Sequence, residues 1–445
     1  MEEEFEFDFK SAQAVKDFLG ENEGRQKKIK EYKQEYEGTD EGRKLRDNQI
    51  GKREDYMQSD KRIVAEKLKT QYQRYIVTTH VSFLLGDQPT ITANDPEKQS
   101  AIDILDVYKK NRINDKLQEF AEQAMSTTMG VMIFSRGAEN EIKARLYTQD
   151  NGRYTPQYDV YGDLVAFYWE FTIGEVDHIW IFTETEIHKY QDEKYVTSDG
   201  HDFGVIPVVF VDQKEPEWFI SKEDIDRYEM LKSKLAGSNN YFALPILKLK
   251  GGTTTDESGE EKTLIDVTED GKSLLLGVAK HQDMLIESDA EFLERDTGVD
   301  SIELEKNWLK EDIHRITQTP DLSFDNVKGI GALSGRALLL MMQDPLNKAK
   351  RKRGAYNTAI SRILSIIKHG LGINDEELMF DIEFNYSIPE DMKEWIEMLY
   401  SATGGKATMS QETATQNNPL VKDSAAELEK IKEEQSQSMG ETFVP

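Results

Sequence analysis

Cysteine is absent from the 445 residues, and no apolar run is long enough to cross a membrane. Without cysteine, disulfides, thiol catalysis and thiolate metal sites are excluded, which favours a reducing setting over a secreted one. The densest apolar stretch, 337–342, ends at polar residues and Pro345, well short of the ~18 residues that a membrane helix needs. The first residues lack a basic segment followed by an apolar one, so no signal peptide is expected.

Positive charge is scarce as well. The chain has 56 Lys and Arg against 84 Asp and Glu, a net charge of −28. A chain this acidic repels polyphosphate, so wrapping a nucleic acid over an extended basic face is disfavoured. Hydrophobic residues make up 38% of the chain, which is lean but sufficient for a core, and the length predicts roughly three domains.

The motifs of phosphate-binding and metal-binding enzymes are incomplete. Gly271-Lys272-Ser273 resembles the end of a phosphate loop, but Asp266 stands where that loop needs its first glycine. The seven histidines lack the paired spacing of metal ligands. Carboxylates are so abundant that no two of them can be singled out as an acid and base pair. The sequence therefore predicts a protein that is not an enzyme and that holds no metal or cofactor.

The order of helix and strand signals predicts an α+β protein. Apolar residues with helical spacing cover 72–85, and short β-rich runs separated by turn residues fill 131–210. The β-rich region is expected to form an antiparallel sheet. The last strand of this sheet contains Pro207, which cannot donate a backbone hydrogen bond to a neighbouring strand, so this strand is expected at an edge.

The second half of the chain predicts two helices around a β module, and then a longer helix. Helices at 221–237 and 288–317 flank the module at 241–287, and the second helix begins with the capping box Ser-Asp-Ala-Glu. A very long helix is expected over 334–370, with a kink at Pro345.

From residue 75 to residue 428, four groups of residues occur in an order typical of one family. They are an apolar helix with a Leu-Gly-x-x-Pro turn (79–89), a Gly-x-Ile-Pro-Val-Val strand followed by Ile-Asp-x-Tyr (203–210 and 225–228), Ser-Gly-x-Ala-Leu followed by Lys-Ala (334–338 and 348–350), and a C-terminal group (405–413, 418–423 and 427–428). In these motifs the chain resembles the portal proteins of long-tailed double-stranded DNA phages, in the branch typical of siphophages.

The resemblance implies a portal fold with a mixed α/β wing, a two-helix stem, a small β clip, a long kinked helix and an α-helical crown. The implied divisions are the wing (1–220 and 318–388), the stem helices (221–240 and 288–317), the clip (241–287) and the crown (389–445). Within the second wing segment, 319–333 corresponds to the tunnel loop and 334–370 to the long helix.

The resemblance also implies a function. About twelve copies would form a ring at one capsid vertex, a channel for packaging and ejecting double-stranded DNA without sequence specificity. The large terminase subunit and head–tail adaptors would dock on the ring, with the major capsid and scaffolding proteins as further partners and no membrane partner. The protein would be assembled in the host cytoplasm and reside in the virion. An acidic virion scaffold or adaptor without a DNA channel is the alternative.

Three sets of residues are the candidate sites. The tunnel-loop set, expected to face the channel and shift as DNA passes, is Ser323, Asn326, Lys328, Gly329 and Gly331. The clip set, expected to contact the terminase and the adaptor, is Thr253, Thr254, Thr255, Asp256 and Glu257. The basic set, interpreted either as ion pairs to a neighbouring subunit or as contacts to DNA phosphates, is Lys348, Lys350, Arg351, Lys352 and Arg353. Five basic residues in six helical positions cannot all share one face.

Overall fold

The structure is a computed structural model of the chain. It describes residues 7–38, 56–58, 61–63, 65–242, 247–250, 253–255, 261–263, 265–267, 273–275, 289–292, 299–321, 340, 342–385, 392–403, 408–418, 421, 424 and 426–432. Its helices are α1 (Ala12–Glu37), α2 (Tyr72–Leu85), α3 (Gln99–Lys110), α4 (Ile113–Thr127), α5 (Lys222–Phe242), α6 (Val299–Thr317), α7 (Gln343–Gly370), α8 (Met392–Thr403) and α9 (Gln411–Gln416).

The strands are short and mostly sequential along the chain. They are β1 (Tyr56–Gln58), β2 (Lys61–Ile63), β3 (Thr90–Ala93), β4 (Met129–Arg136), β5 (Ile142–Tyr147), β6 (Arg153–Tyr158), β7 (Leu164–Ile173), β8 (Val176–Phe182), β9 (Glu186–Gln191), β10 (Lys194–Gly200), β11 (Val208–Asp212), β12 (Leu247–Lys250), β13 (Thr253–Thr255), β14 (Glu261–Thr263), β15 (Ile265–Val267), β16 (Ser273–Leu275), β17 (Asp289–Phe292) and β18 (Phe380–Glu383).

Strands β4 to β11 form two antiparallel sheets rather than the single sheet expected from the sequence. One sheet has the order β10-β9-β8-β7-β6, and the other has the order β11-β4-β5. The sequence interpretation missed β6 and β10, because Pro156 interrupts the β-rich pattern of the first and the second is largely polar. Both are edge strands, where a proline or a polar surface is tolerated. Strand β11, which follows Pro207, is also an edge strand, as predicted.

The main core lies between the three-stranded sheet and helices α2, α4 and α7. Ile76, Phe120 and Ile360 are fully buried there. Strand β4 approaches α4 so closely that a Cβ atom on Gly130 would lie 2.3 Å from the Phe120 carbonyl oxygen. Only glycine fits at this position, and the short separation brings the α4 C-terminus next to the segment that precedes α5.

Helix α1 continues without a break through Gly20 and Gly24 to Glu37. The Ser11 hydroxyl caps its first turn, and Gly38, in the left-handed region at φ +62°, ends it. Burial of Val15 and Ile29 against the rest of the protein supports the helix despite the two internal glycines.

Helices α5 and α6 pack side by side, and a small β module lies between them in the chain. Arg227 of α5 donates to Glu305 of α6 at 2.7 Å. Asp312, near the end of α6, is close enough to Asp224, near the start of α5, to raise the pKa of Asp224. These two pairs show that the helices run antiparallel.

The expected start of the second stem helix is wrong. Residues 289–292 are strand β17, paired in register with β12 so that Leu247 faces Phe292 and Lys250 faces Asp289. Helix α6 therefore begins at Val299. The capping box predicts a helix start here, but its residues 289–291 lie in strand β17. Cross-strand pairing between the two ends of the module stabilises the strand more than the local sequence favours a helix.

The helix expected over 334–370 is interrupted at Met342. This residue, at φ −89° and ψ 0°, is the N-cap of α7, which runs from Gln343. Residue 340 is also helical, and residues 334–339 and 341 lie outside the described part of the chain. Pro345 is the third residue of the helix, where its missing N–H has no intrahelical partner in any case. The expected kink at Pro345 inside a continuous helix is therefore corrected: the proline lies in the first turn.

Candidate functional site

Segments that are far apart in the sequence meet at one buried group of polar side chains. It lies where α2, the end of α6, the segment before α5 and the first half of α7 come together. We call it the junction cluster: His80, Glu217, Thr317, Thr319, Lys348 and Lys352.

Glu217 is the acid at the centre of the junction cluster. Its backbone N–H donates to the Met125 carbonyl at 3.0 Å, which fixes the residue next to the end of α4. Its side chain is only 6% exposed and pairs with two lysines, with Lys348 Nζ at 2.9 Å from Oε2 and Lys352 in contact with Oε1. The two lysines are four residues apart and so share one face of α7.

The ion pairs are held in a largely dry environment. Burial alone would raise the pKa of Glu217, but the charges of Lys348 and Lys352 outweigh it and hold that pKa below its usual value. Burial also lowers the pKa of Lys348, against the opposing attraction of Glu217. Removing one partner from such a group leaves an uncompensated buried charge, which is costly.

His80 connects this ion group to the end of α6. Its Nε2 lies 3.0 Å from the Thr317 carbonyl oxygen and 3.1 Å from Lys348 Nζ. Lys348 also donates to the same carbonyl at 2.8 Å, which satisfies one of the free acceptors at the helix end. Burial, followed by the charge of Lys348, lowers the pKa of His80 to about 3, so the imidazole is neutral at physiological pH.

The chain after α6 is anchored by further contacts. The Tyr75 hydroxyl donates to the Pro320 carbonyl at 2.8 Å, and Lys310 pairs with Asp321 at 2.6 Å. Met342, which precedes α7, is buried. The ends of the segment 322–341 are therefore held by the same body of the protein, with the junction cluster beside both.

The basic set divides into two parts. Lys348 and Lys352 point inward and are paired with Glu217 of their own chain, so in this structure they do not serve a neighbouring subunit or DNA. Lys350, Arg351 and Arg353 are exposed, and Arg351 contacts the Gln318 side chain. The DNA or intersubunit role predicted for the whole set thus narrows to the three exposed residues.

The other two sets lie mostly beyond the described residues. All five tunnel-loop residues, Ser323, Asn326, Lys328, Gly329 and Gly331, are outside the described part of the chain. In the clip set, Thr253, Thr254 and Thr255 form strand β13, which pairs with β14, whereas Asp256 and Glu257 are outside the described residues.

Sequence reasoning missed Glu217 and Thr317. Glu217 ends a charged stretch that includes Lys214 and Glu215, both exposed, so no local pattern distinguishes it from its neighbours. His80 lies within the apolar stretch 72–85. Its polar role depends on Thr317, 237 residues away, and no local pattern reveals that contact.

The polar groups of the cluster are bonded to one another. Thr319 Oγ1, for example, lies 3.1 Å from His80 Nε2 and accepts from the Thr317 hydroxyl at 2.9 Å. Across the residues with described side chains, no three His, Asp or Glu groups are placed to hold a metal ion. Within the same residues, no helix is both long enough and apolar enough to span a membrane. The cluster can hold the end of α6, the first half of α7 and the segment before α5 in fixed positions.

A family model and several solved structures match this chain. Residues 16–441 match the model described as phage portal protein, SPP1 Gp6-like. The neck of a native gene transfer agent particle, computed with twelvefold symmetry, is 11% identical with a TM-score of 0.43, covering 78% of this chain and 89% of that chain. An HK97-family phage portal protein from Corynebacterium diphtheriae is 8% identical with a TM-score of 0.32, covering 72% and 96%. No curated protein matches significantly.

Proposed function

Because this chain belongs to the phage portal proteins of the SPP1 Gp6-like family, we propose that about twelve copies form a ring at one capsid vertex, with a channel for packaging and ejecting double-stranded DNA. The observation that carries the proposal is the family match over 16–441, which leaves only short ends of the chain unmatched. In this proposal, wing, stem, clip and crown have the divisions expected from the sequence, except that the second stem helix starts at Val299.

The charge of the chain supports a channel in which DNA slides. Each copy carries −28, so a ring presents a surface that repels the phosphate backbone rather than gripping it. Since the duplex is not read through base contacts, its passage is independent of sequence. Two of the five residues of the basic set are paired internally with Glu217, which lowers the number of cations available to hold DNA.

The junction cluster supports the tunnel-loop proposal. The loop, 319–333, leaves α6 at a point held by Lys348 and His80. A segment fixed at its base and supplied with Gly329 and Gly331 can change conformation without disturbing the core. Replacing both glycines with valine is expected to lower the packaging rate while rings still form. Normal packaging of full-length DNA by such rings would refute the gating role.

The β module between the stem helices is proposed as the clip, where the terminase and later the adaptor dock. Its position between α5 and α6 in the chain supports this, and the pairing of β12 with β17 brings its two ends together. The loop 251–259 is polar, as suits a surface that exchanges partners. The motor activity belongs to the docked terminase, and the portal ring itself is not an enzyme in this proposal.

Deleting the gene from its phage tests the portal function. The proposal predicts capsids of normal shape that contain no DNA, and the wild-type gene supplied in trans should restore filling. The alternative, an acidic scaffold without a channel, predicts misshapen capsids, because a scaffold determines shell assembly. Capsids filled with DNA in the absence of the gene would overturn the portal assignment.

A further inference from the structure

One face of α6 carries large apolar side chains exposed to solvent. Leu304 is 50% exposed and Trp308 is 59% exposed, and the four-residue spacing places them side by side. Of the four tryptophans whose side chains the structure describes, Trp308 is the exposed one. The opposite face is the buried one: Ile313 is fully buried, and nine residues of helix turn Leu304 about 180° away from it.

Acidic residues flank this apolar face. Asp312 lies one turn beyond Trp308, and Asp224 of α5 is its neighbour across the helix pair. Burial, Asp312 and Glu223 together raise the pKa of Asp224. Asp312 has Arg315 at 2.5 Å, but in the described part of the chain Asp224 makes no ion pair. We call Asp224, Leu304, Trp308 and Asp312 the stem stripe.

A complementary surface exists elsewhere on the same chain. On α7, Arg353 is exposed and lies about 140° around the helix from Lys348, so it points away from Glu217. Within the described residues it has no carboxylate partner. Arg351 lies two residues earlier, about 200° around the helix, and contacts the Gln318 side chain of its own chain. Guanidinium groups bond carboxylates in a bidentate way and stack on indole rings, which are the two groups the stem stripe offers.

The stripe and the arginines of one copy are not adjacent. Helix α7 is attached to α6 at Thr317, through Lys348. Trp308 lies nine residues earlier, about 13 Å along the helix. The exposed arginines of the same chain are therefore placed beside the end of α6 rather than over Trp308.

We propose that the stem stripe of one copy binds the exposed Arg353 of a second copy. The inference rests on the proposed function and deepens it by naming the surfaces that join neighbouring subunits. The two surfaces differ, so the contact is head-to-tail. Each copy keeps one unused surface after pairing, so the contact can repeat, and it builds a ring when the rotation between neighbouring copies closes.

Charge reversal in two separate variants tests the contact. Asp224→Arg damages the stripe and Arg353→Glu damages the arginine surface, whereas Trp308→Ser removes the indole. Mass photometry of the full-length chain measures the assembled fraction, and circular dichroism verifies folding. Each variant is expected to lower the assembled fraction at least tenfold. The controls Lys28→Glu and Ile173→Ser change equally exposed residues elsewhere and should assemble like the wild type.

Mixing the two charge-reversed variants separates this contact from a general loss of structure. In a ring where the two variants alternate, one interface joins native Asp224 to native Arg353, and the next joins the arginine at 224 to the glutamate at 353. Every interface then pairs opposite charges, so the mixture should form rings that neither variant forms alone. Rings from each single variant, or no recovery on mixing, would overturn the assignment of these surfaces while leaving the portal function intact. If the wild-type chain forms no rings, both the surface assignment and the proposed ring fall.

Discussion

Replacing Glu217 with glutamine tests whether the junction cluster holds the end of α6 and the first half of α7 to the segment before α5. The change keeps the shape of the side chain but leaves Lys348 and Lys352 buried without a counter-charge. Breaking a buried ion pair in this way costs about 3–5 kcal/mol. If the loss is local, amide exchange at the end of α6 and in the first half of α7 should accelerate between about a hundredfold and a few thousandfold.

Hydrogen exchange followed by mass spectrometry on the full-length chain measures this effect. Adding Lys348→Met to Glu217→Gln should recover part of the protection, because it removes one of the unpaired charges. As a control, Glu193→Gln breaks an ion pair with Lys16 whose side chains are 69% and 62% exposed, so exchange should stay unchanged. Acceleration of less than tenfold in Glu217→Gln would refute the view that the cluster is a structural anchor.

Three further predictions follow from the structure. The fold lowers the pKa of His80 to about 3, so as the pH falls below 6.5 the unfolded chain binds a proton that the folded chain does not. The free energy of unfolding should therefore drop by about 2 kcal/mol from pH 8 to pH 5. In His80→Gln this part of the fall in melting temperature should disappear. Gly130→Ala places a Cβ 2.3 Å from a backbone oxygen and should cost about 1–3 kcal/mol in urea unfolding, whereas Gly200→Ala, with its nearest contact at 3.9 Å, should be neutral. Deleting 252–258 should leave rings intact but weaken terminase binding, and a length-matched Gly-Ser replacement should weaken it equally; undiminished binding in both would contradict the clip role.

The sequence predicted elements whose signals are local. Helix Tyr72–Leu85 has the expected bounds, since its apolar residues show a clear helical period that ends at turn residues. Strand Thr90–Ala93 pairs with Phe380–Glu383, which lies almost 300 residues later. The pairing of distant strands depends on the packing of α2, α3 and α7 between them, so no local pattern contains it.

The candidate site was predictable only in part, for the same reason. The observation that five basic residues cannot share one face of a helix correctly indicated that the basic set would divide. Which residues would face inward depended on Glu217, more than 130 residues earlier in the chain. The helix expected at 288 failed because strand β12 pairs with the residues that carry the capping box.

Electron micrographs of the purified full-length chain test the central claim most directly. A portal should appear as rings with a central hole, and twelve copies of a 51.1 kDa chain have a combined mass of about 610 kDa. Rings with close to twelvefold symmetry and an open axis are the result expected here. Closed oligomers without an axial hole, or monomers alone at concentrations where portals assemble, would contradict a DNA channel.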